Sequence, residues 1–144
     1  MAASYERDFY TWAMEQAALL RAGRLAQADI DHIAEEIETL GRSEAAALRS
    51  SYRVLLLHLL KWRWQAERRD QSWRLSIARE RVNIDAHLDD NPGLKSRQAE
   101  LFDKAYALAR REAAAETGLA IATFPESCPF TLEDATRDDF WPDS

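Results

Sequence analysis

Apolar residues recur at helical spacing along most of the chain, and no segment shows sustained alternation of apolar and polar positions. The clearest segment runs from Val54 to Leu60, where six apolar residues surround a single histidine, His58. A helix that is apolar on nearly every side is largely buried. We therefore expect this segment to be the middle of the central helix of an all-α fold.

The same spacing predicts five helices, each bounded by a capping residue or a glycine. They are expected over about Tyr5 to Ala22, Ile30 to Leu40, Ser43 to Glu67, Ser72 to Leu88 and Leu94 to Glu116. The expected N-caps of the first two are Ser4 and Asp29, and the expected stops are Gly23, Gly41 and Gly118. The second helix is expected to turn a stripe of Ile30, Ile33, Ile37 and Leu40 towards the core.

The residues that follow the fifth helix lack helical periodicity but are rich in aromatic side chains. The aromatic residues are Phe124, Phe130, Phe140 and Trp141. A "TLED" sequence predicts a capping box on one short helical turn, Thr131 to Asp134. We expect a single domain over residues 1–144. It comprises a helical bundle over about 5–117 and a mostly irregular C-terminal strap over 118–144 that packs on the bundle.

Composition narrows the class of protein. The 144 residues contain four glycines, four prolines and one cysteine, Cys128, which excludes an intrachain disulfide framework and a cysteine-based zinc site. The first ten residues, "MAASYERDFY", contain no hydrophobic signal core. The longest apolar run is far shorter than the ~20 residues of a membrane span. These features predict a cytoplasmic protein with no membrane partner.

Charge is distributed unevenly around a formal net value of −6. Residues 29–44 contain six acidic residues and one basic residue, and residues 122–144 contain the same numbers. Residues 49–81 contain nine basic and three acidic residues. A net acidic protein has little unspecific affinity for nucleic acid. We expect the acidic and basic segments to neighbour one another and largely to neutralise within the fold, and a functional basic patch is the alternative.

Several polar residues interrupt the apolar faces. Those that could meet in a buried polar cluster are Gln16, Glu36, His58 and Lys61. Glutamate and histidine on facing helices can also bind iron, manganese or zinc, which makes Glu36, His58, Glu80 and His87 candidate ligands. The paired Glu-x-x-His motifs of di-iron bundles are absent, and Glu80 and His87 are about 10 Å apart along one helix. The structural cluster is therefore favoured, with no cofactor and no assigned catalytic residue.

A basic–aromatic segment follows the central helix. Its candidate surface residues are Trp64, Arg68, Arg69 and Arg74. Nucleic-acid binding would need several such cations aligned on one exposed face, and no helix-turn-helix signature accompanies them. Arginine stacking on the tryptophans is the competing interpretation.

The sequence resembles the bacterial domain-of-unknown-function family 29, which occurs in cyanobacteria and proteobacteria. The resemblance rests on "DFYTWAMEQAALLRAG", "HIAEEIETLGRSE", "LLLHLLKWRWQ", "SWRLSI", "AYALARREAAAETGL" and "FPESCPFTLEDATRDDFWP", in this order. It covers about Tyr5 to Pro142 and implies an all-α single domain without an assigned activity. Where the family pattern often has proline, this chain has Ala66, so we expect its third helix to continue further.

Three functions are consistent with the sequence. The favoured hypothesis is a small, non-enzymatic module that acts through protein–protein contact with itself or with another bacterial protein, since aromatic residues and charge are both segregated. The second is a metal-dependent enzyme or sensor that uses the Glu and His candidates. The third is nucleic-acid binding through the region from Arg68 to Arg81, against which the net charge argues.

Overall fold

A computed structural model describes residues 4–143, which contain five α-helices and no β-strand. The helices are α1 (Phe9–Arg21), α2 (Ile30–Trp64), α3 (Gln71–Asp90), α4 (Gln98–Thr117) and α5 (Leu132–Thr136). The all-α prediction is confirmed. Contacts divide the chain into two units, one ending at residue 43 and the other beginning at residue 44. Between residues 4 and 143, no helix combines the length and the apolar character needed to cross a bilayer.

The first unit is a helical hairpin built from α1, a short connection and the start of α2. The predicted start of its first helix at Tyr5 is wrong, because Asp8 provides the N-cap and accepts a hydrogen bond from the Thr11 N–H at 3.1 Å. Residues 5–7 form a turn that precedes this cap. Gly23 follows the helix at a φ of 71°, a left-handed conformation that glycine adopts without steric cost, so the predicted stop is confirmed.

The predicted break between the second and third helices is wrong. Helix α2 is continuous over 35 residues, and both Gly41 and Ser43 lie inside it. A glycine inside a helix costs only about 1 kcal/mol relative to alanine. This cost is smaller than the stabilisation that a long helix gains by continuing. The Ser43 hydroxyl donates to the Thr39 carbonyl at 2.9 Å, so it bonds within the helix and does not cap a new one.

The end of α2 also differs from the prediction. The helix stops at Trp64, three residues before the expected Glu67, and a short 3-10 turn covers Ala66–Arg68. The Arg69 side chain donates from Nε to the Trp62 carbonyl at 2.7 Å. That carbonyl would otherwise accept from residue 66 in a continuing helix. The expectation that the helix continues through Ala66 is therefore wrong.

The second unit contains the large apolar core. The part of α2 from Leu48 to Trp62 is buried on several sides, which confirms its prediction as a central element. The fully buried large side chains are Leu48, Tyr52, Leu55, Leu56, Leu59, Leu60, Ile77, Ile84 and Phe124. Helix α3 begins after Asp70, whose carboxylate accepts from the Trp73 N–H. Helix α4 ends at Gly118, with a φ of 76°.

The segment after α4 contributes its aromatic residues to this core. Phe124 and Phe130 are buried, and Phe140 and Trp141 pack against the same cluster. Thr131 caps α5 by accepting from the Asp134 N–H at 3.1 Å, which confirms the predicted turn and extends it to Thr136. The outermost residues of the predicted domain and strap, 1–3 and 144, lie outside the described residues.

Candidate functional site

Asp29 connects the two helices of the hairpin. Its carboxylate accepts hydrogen bonds from Trp12 Nε1 on α1, at 3.0 Å, and from His32 Nδ1 on α2, at 2.7 Å. Its backbone N–H donates to Gln16 Oε1 at 2.7 Å. Gln16 is buried in the apolar stripe of α1, and leaving such a polar group unsatisfied would cost about 1–3 kcal/mol. One acidic residue thus fixes the connected end of the hairpin.

Asp29 and His32 stabilise each other's charged form. The hydrogen bond with His32, assisted by that from Trp12, lowers the pKa of Asp29 below its usual 3.8. The Asp29 carboxylate raises the pKa of His32 above its usual 6.5. Both side chains are more than a third exposed to solvent. Screening by water therefore limits the strength of the ion pair.

Tyr5 covers this pair and brings the segment before α1 onto α2. Its ring stacks on the His32 imidazole with centroids 4.1 Å apart and planes 14° apart. It also meets the Trp12 ring edge-on at 4.8 Å, and its hydroxyl donates to the Glu36 carboxylate. This bond raises the pKa of Tyr5 to about 12. We call Tyr5, Asp29, His32 and Glu36 the Tyr5 clasp.

An apolar groove runs between α1 and α2 beside the clasp. Its volume is about 530 Å³. The lining residues are Phe9, Trp12, Ala13, Gln16, Ala17, Leu20, Ile33, Glu36, Ile37 and Leu40. We call this surface the hairpin groove. Apart from Gln16 and Glu36, which bond within the hairpin, its lining offers only apolar side chains to a ligand.

The predicted core stripe of the second helix is largely exposed, with Ile33, Ile37 and Leu40 in this groove and Ile30 outside its lining, which corrects the sequence expectation. Ile37 is 63% exposed, Leu40 67% and Ile30 50%. Only α1 lies beside the stripe within the first unit, and one helix cannot cover an apolar face of this width. Among residues 4–43, Trp12 and Gln16 alone are buried. The hairpin therefore holds its two helices mainly by polar contacts at one end and leaves its apolar face open.

The predicted polar residues have separate partners. In the first unit, Gln16 accepts from the Asp29 backbone and Glu36 accepts from Tyr5. In the second unit, His58 Nδ1 lies 2.8 Å from the Val54 carbonyl. A carbonyl oxygen can only accept, so this ring nitrogen carries the proton and His58 bonds to the preceding turn of its own helix.

Lys61 and the remaining metal candidates, Glu80 and His87, lie in the second unit, each in its own surroundings. The Lys61 ammonium donates to Glu116 at 3.1 Å and lies 4.9 Å from the centroid of the Trp73 ring. Glu80 accepts from the Asn83 side chain at 3.0 Å, and His87 is half-buried one turn before the end of α3. Within residues 4–143, no group of three or more His, Cys, Asp or Glu side chains is arranged to bind a metal ion.

The basic–aromatic residues form stacks in the second unit. The Arg69 and Arg74 guanidiniums lie 4.9 and 5.0 Å from the centroid of the Trp62 ring, and Arg74 is also 5.0 Å from that of Trp141. Trp64 packs edge-on against Phe124, and Arg68 is exposed. Nucleic-acid binding by these residues remains a prediction.

Sequence reasoning missed two sets of residues. The first is the pairing of Tyr5, Asp29 and His32, for which the only local signal is an acid three residues before a histidine at a helix start. The second is Arg81, which is 2% exposed and donates to the carbonyls of Ala135, Asp138 and Phe140 at 3.0, 3.1 and 2.8 Å. One arginine among several in a basic segment gives no signal that its side chain is buried and binds backbone carbonyls.

Comparison with known proteins yields one family. The model of the family described as "Domain of unknown function DUF29" matches residues 4–141. No curated protein matches the chain, and no solved structure does. The matched residues include the whole hairpin described above.

Proposed function

The chain belongs to the DUF29 family, whose description names no activity. We therefore propose a function for the protein from its hairpin groove. The protein is a non-enzymatic protein–protein interaction module. It binds helical segments of other proteins, or of a second copy of itself, in the hairpin groove. The observation that carries this proposal is the exposed apolar lining of the groove.

The chemistry of the groove supports this function. Contiguous exposed apolar surface on a monomeric protein often marks an interaction site. Four large apolar side chains of the lining are at least 42% exposed, namely Phe9, Leu20, Ile37 and Leu40. A groove between two helices accommodates the apolar face of a third helix, whose side chains recur every three or four residues. The small side chains of Ala13 and Ala17 lie in the lining and allow close approach of another helix.

The Tyr5 clasp supports the proposal because it makes the open face rigid. It fixes the segment before α1, the connected end of the hairpin and the start of α2 by side-chain bonds that leave the groove accessible. A preorganised surface loses less conformational freedom on binding. The residues that stabilise the hairpin and those that would bind a partner are therefore largely different residues.

Photo-crosslinking in cells that express the protein tests the proposed function. Leu40, in the groove, is replaced by the photoreactive residue p-benzoylphenylalanine, and Val82, an equally exposed apolar residue on α3, is replaced in the same way as a control. We expect illumination to give a discrete protein adduct from position 40 and none from position 82. No adduct from position 40, or equal adducts from both positions, would contradict the proposed function.

A further inference from the structure

We propose that the hairpin groove is occupied by the same groove of a second copy, so that two hairpins form an intermolecular four-helix bundle. This inference rests on the proposed function and names its partner. Three properties of the hairpin bear on this pairing: how much of each helix face is covered, the apolar area left open, and the charge around that area.

The hairpin presents half of the core of a four-helix bundle. In such bundles each helix buries a face of about three positions in seven. On α1 the positions next to α2 are covered, since Trp12 and Gln16 are buried, while Phe9 and Leu20 on the same broad face are about half exposed. On α2, Ile30 and Ile37 lie on the same side of the helix, and both are at least half exposed. A single added helix in the groove would contact both sides but leave Tyr10 and Ile30, which lie outside the groove lining, exposed. A second hairpin offers two helices and can cover these residues as well.

The open area matches the requirement of a stable dimer. Of the large exposed apolar residues of α1 and α2 in the hairpin, Phe9, Leu20, Ile37 and Leu40 line the groove, and Tyr10 and Ile30 lie outside its lining on the same two helices. Their exposed fractions are between 42% and 74%. At ~200 Å² for a large side chain, these fractions amount to roughly 700 Å² on one hairpin. A specific interface buries about 800 Å² on each partner. Two such faces together provide roughly 1,400 Å², which is within the range of about 1,200–2,000 Å² that specific interfaces bury in total.

The charge of the hairpin gives the association a diagnostic salt dependence. Residues 1–43 contain eight acidic and four basic residues, a net charge of −4. Two copies repel, and salt screens this repulsion over about 10 Å at 0.1 M. Pairing by the apolar face should therefore tighten as salt is added. A basic helix from another protein, or the basic segment of a second copy, would bind more weakly in added salt.

Sedimentation velocity on the full-length chain tests the inference. Wild type is measured over about 1–200 μM, a range that brackets a typical weak dimer, at low and high salt. The Ile37→Glu variant removes the apolar contact at the centre of the open face. Val82→Glu, a substitution at a similarly exposed β-branched residue on α3, is the matched control. Circular dichroism confirms that both variants are folded.

We expect a monomer–dimer equilibrium whose dissociation constant falls as salt increases. Ile37→Glu should raise that constant at least about 100-fold, because a two-fold interface contains the substitution twice, and Val82→Glu should leave it unchanged. A strictly monomeric wild type, a dimer weakened by salt, or a dimer insensitive to Ile37→Glu would overturn the pairing.

The crosslinking experiment separates failure of the pairing from failure of the proposed function. An adduct from position 40 with the mass of two chains, each of 16.5 kDa, supports the second copy. An adduct with a different protein, together with monomeric sedimentation, overturns the second copy and leaves the interaction function standing. The absence of any groove-specific adduct overturns both.

Discussion

Asp29 has the largest effect on the charge of His32. The Asp29 carboxylate accepts a hydrogen bond from His32 Nδ1–H and raises the pKa of the ring above 6.5, while the same contact lowers the pKa of Asp29 below 3.8. The raised pKa of His32 stabilises the folded state fully at pH values below the pKa of the imidazole in the unfolded chain. This stabilisation is lost as pH rises through the pKa of His32 in the folded protein. That from Asp29 is lost as pH falls through its folded pKa. The pair is therefore most stabilising between about pH 4 and 6.5.

This pairing makes a prediction for the titration of one imidazole. We expect His32 to titrate above pH 6.5 in an NMR pH series on the full-length protein, and Asp29→Asn to lower its pKa because the carboxylate is the main cause of the shift. His87, which lies in the second unit and is not paired with Asp29, is the internal control. A His32 pKa at or below 6.5, or one unchanged by Asp29→Asn, would contradict the geometry of the clasp.

His58 shows how a side chain can resolve an ambiguity that sequence leaves open. Its position in an apolar run was consistent with a metal ligand or a partner of Glu36. The observed partner is the carbonyl four residues earlier, a bond that any histidine in a helix can make without tertiary help. Periodicity places a residue on a face, but it cannot say which of several acceptors the ring reaches.

At the scale of elements, Arg81 connects helix α3 to the segment that follows α4. Its guanidinium donates to three backbone carbonyls around α5 and lies 5.5 Å from the centroid of the Trp141 ring. Burial lowers its pKa, and its hydrogen bonds with these carbonyls compensate for the lost hydration. The segment is therefore held by both its aromatic side chains and its backbone.

Replacing Arg81 with methionine preserves much of its volume but leaves three carbonyls without their donor. We expect a loss of about 3 kcal/mol in the free energy of unfolding, since hydrogen bonds to charged groups are worth about 1.5–3 kcal/mol each and are not fully additive. Urea denaturation measures this. Arg79→Met, at an exposed position on the same helix, should change stability by less than about 0.5 kcal/mol. Equal effects would contradict the role assigned to Arg81.

The continuity of α2 makes a prediction about two glycines. Gly41 is inside the helix, and a Cβ atom built there meets nothing within 4 Å. We expect Gly41→Ala to stabilise the protein by about 0.5–1 kcal/mol. Gly118 has equal space but a φ of 76°, so Gly118→Ala should destabilise it by about 1 kcal/mol. Urea denaturation in the Ile37→Glu background excludes a contribution from association. The same sign for both substitutions would contradict this conformational argument.

At the scale of the whole molecule, association and stability are linked. A dimer that forms only from folded chains stabilises them by mass action. The melting temperature of the wild type should therefore rise with protein concentration, whereas that of Ile37→Glu should stay constant. Differential scanning calorimetry at several concentrations measures both. A wild type whose melting temperature is independent of concentration would argue against pairing of the hairpins.

The sequence predicted the second unit better than the first, for a physical reason. In α2 from Leu48 to Trp62 the apolar residues surround the helix, which can be accommodated only in a core. The stripe of Ile30, Ile37 and Leu40 predicts that one face is apolar, but not what covers it. Gly41 was interpreted as a stop because glycine weakens a helix. Its cost is smaller than the gain from continuing a long one.

The candidate site was predicted only in part. Gln16 and Glu36 were identified because they interrupt an apolar stripe, and both are in the hairpin groove. The bonds from Tyr5 to Glu36 and from Trp12 to Asp29 were missed because they join residues 31 and 17 positions apart. Such contacts exist only after the connection between the helices has turned the chain back on itself.

The order of the two units along the chain has a consequence for protein synthesis. The contacts of the hairpin fall within the first forty or so residues, which leave the ribosome before the second unit is complete, and N-terminal elements fold first during translation. Nascent chains on one messenger RNA are held close together, so the effective concentration of unpaired grooves is highest there. If the hairpins pair, we expect pairing to begin between neighbouring ribosomes.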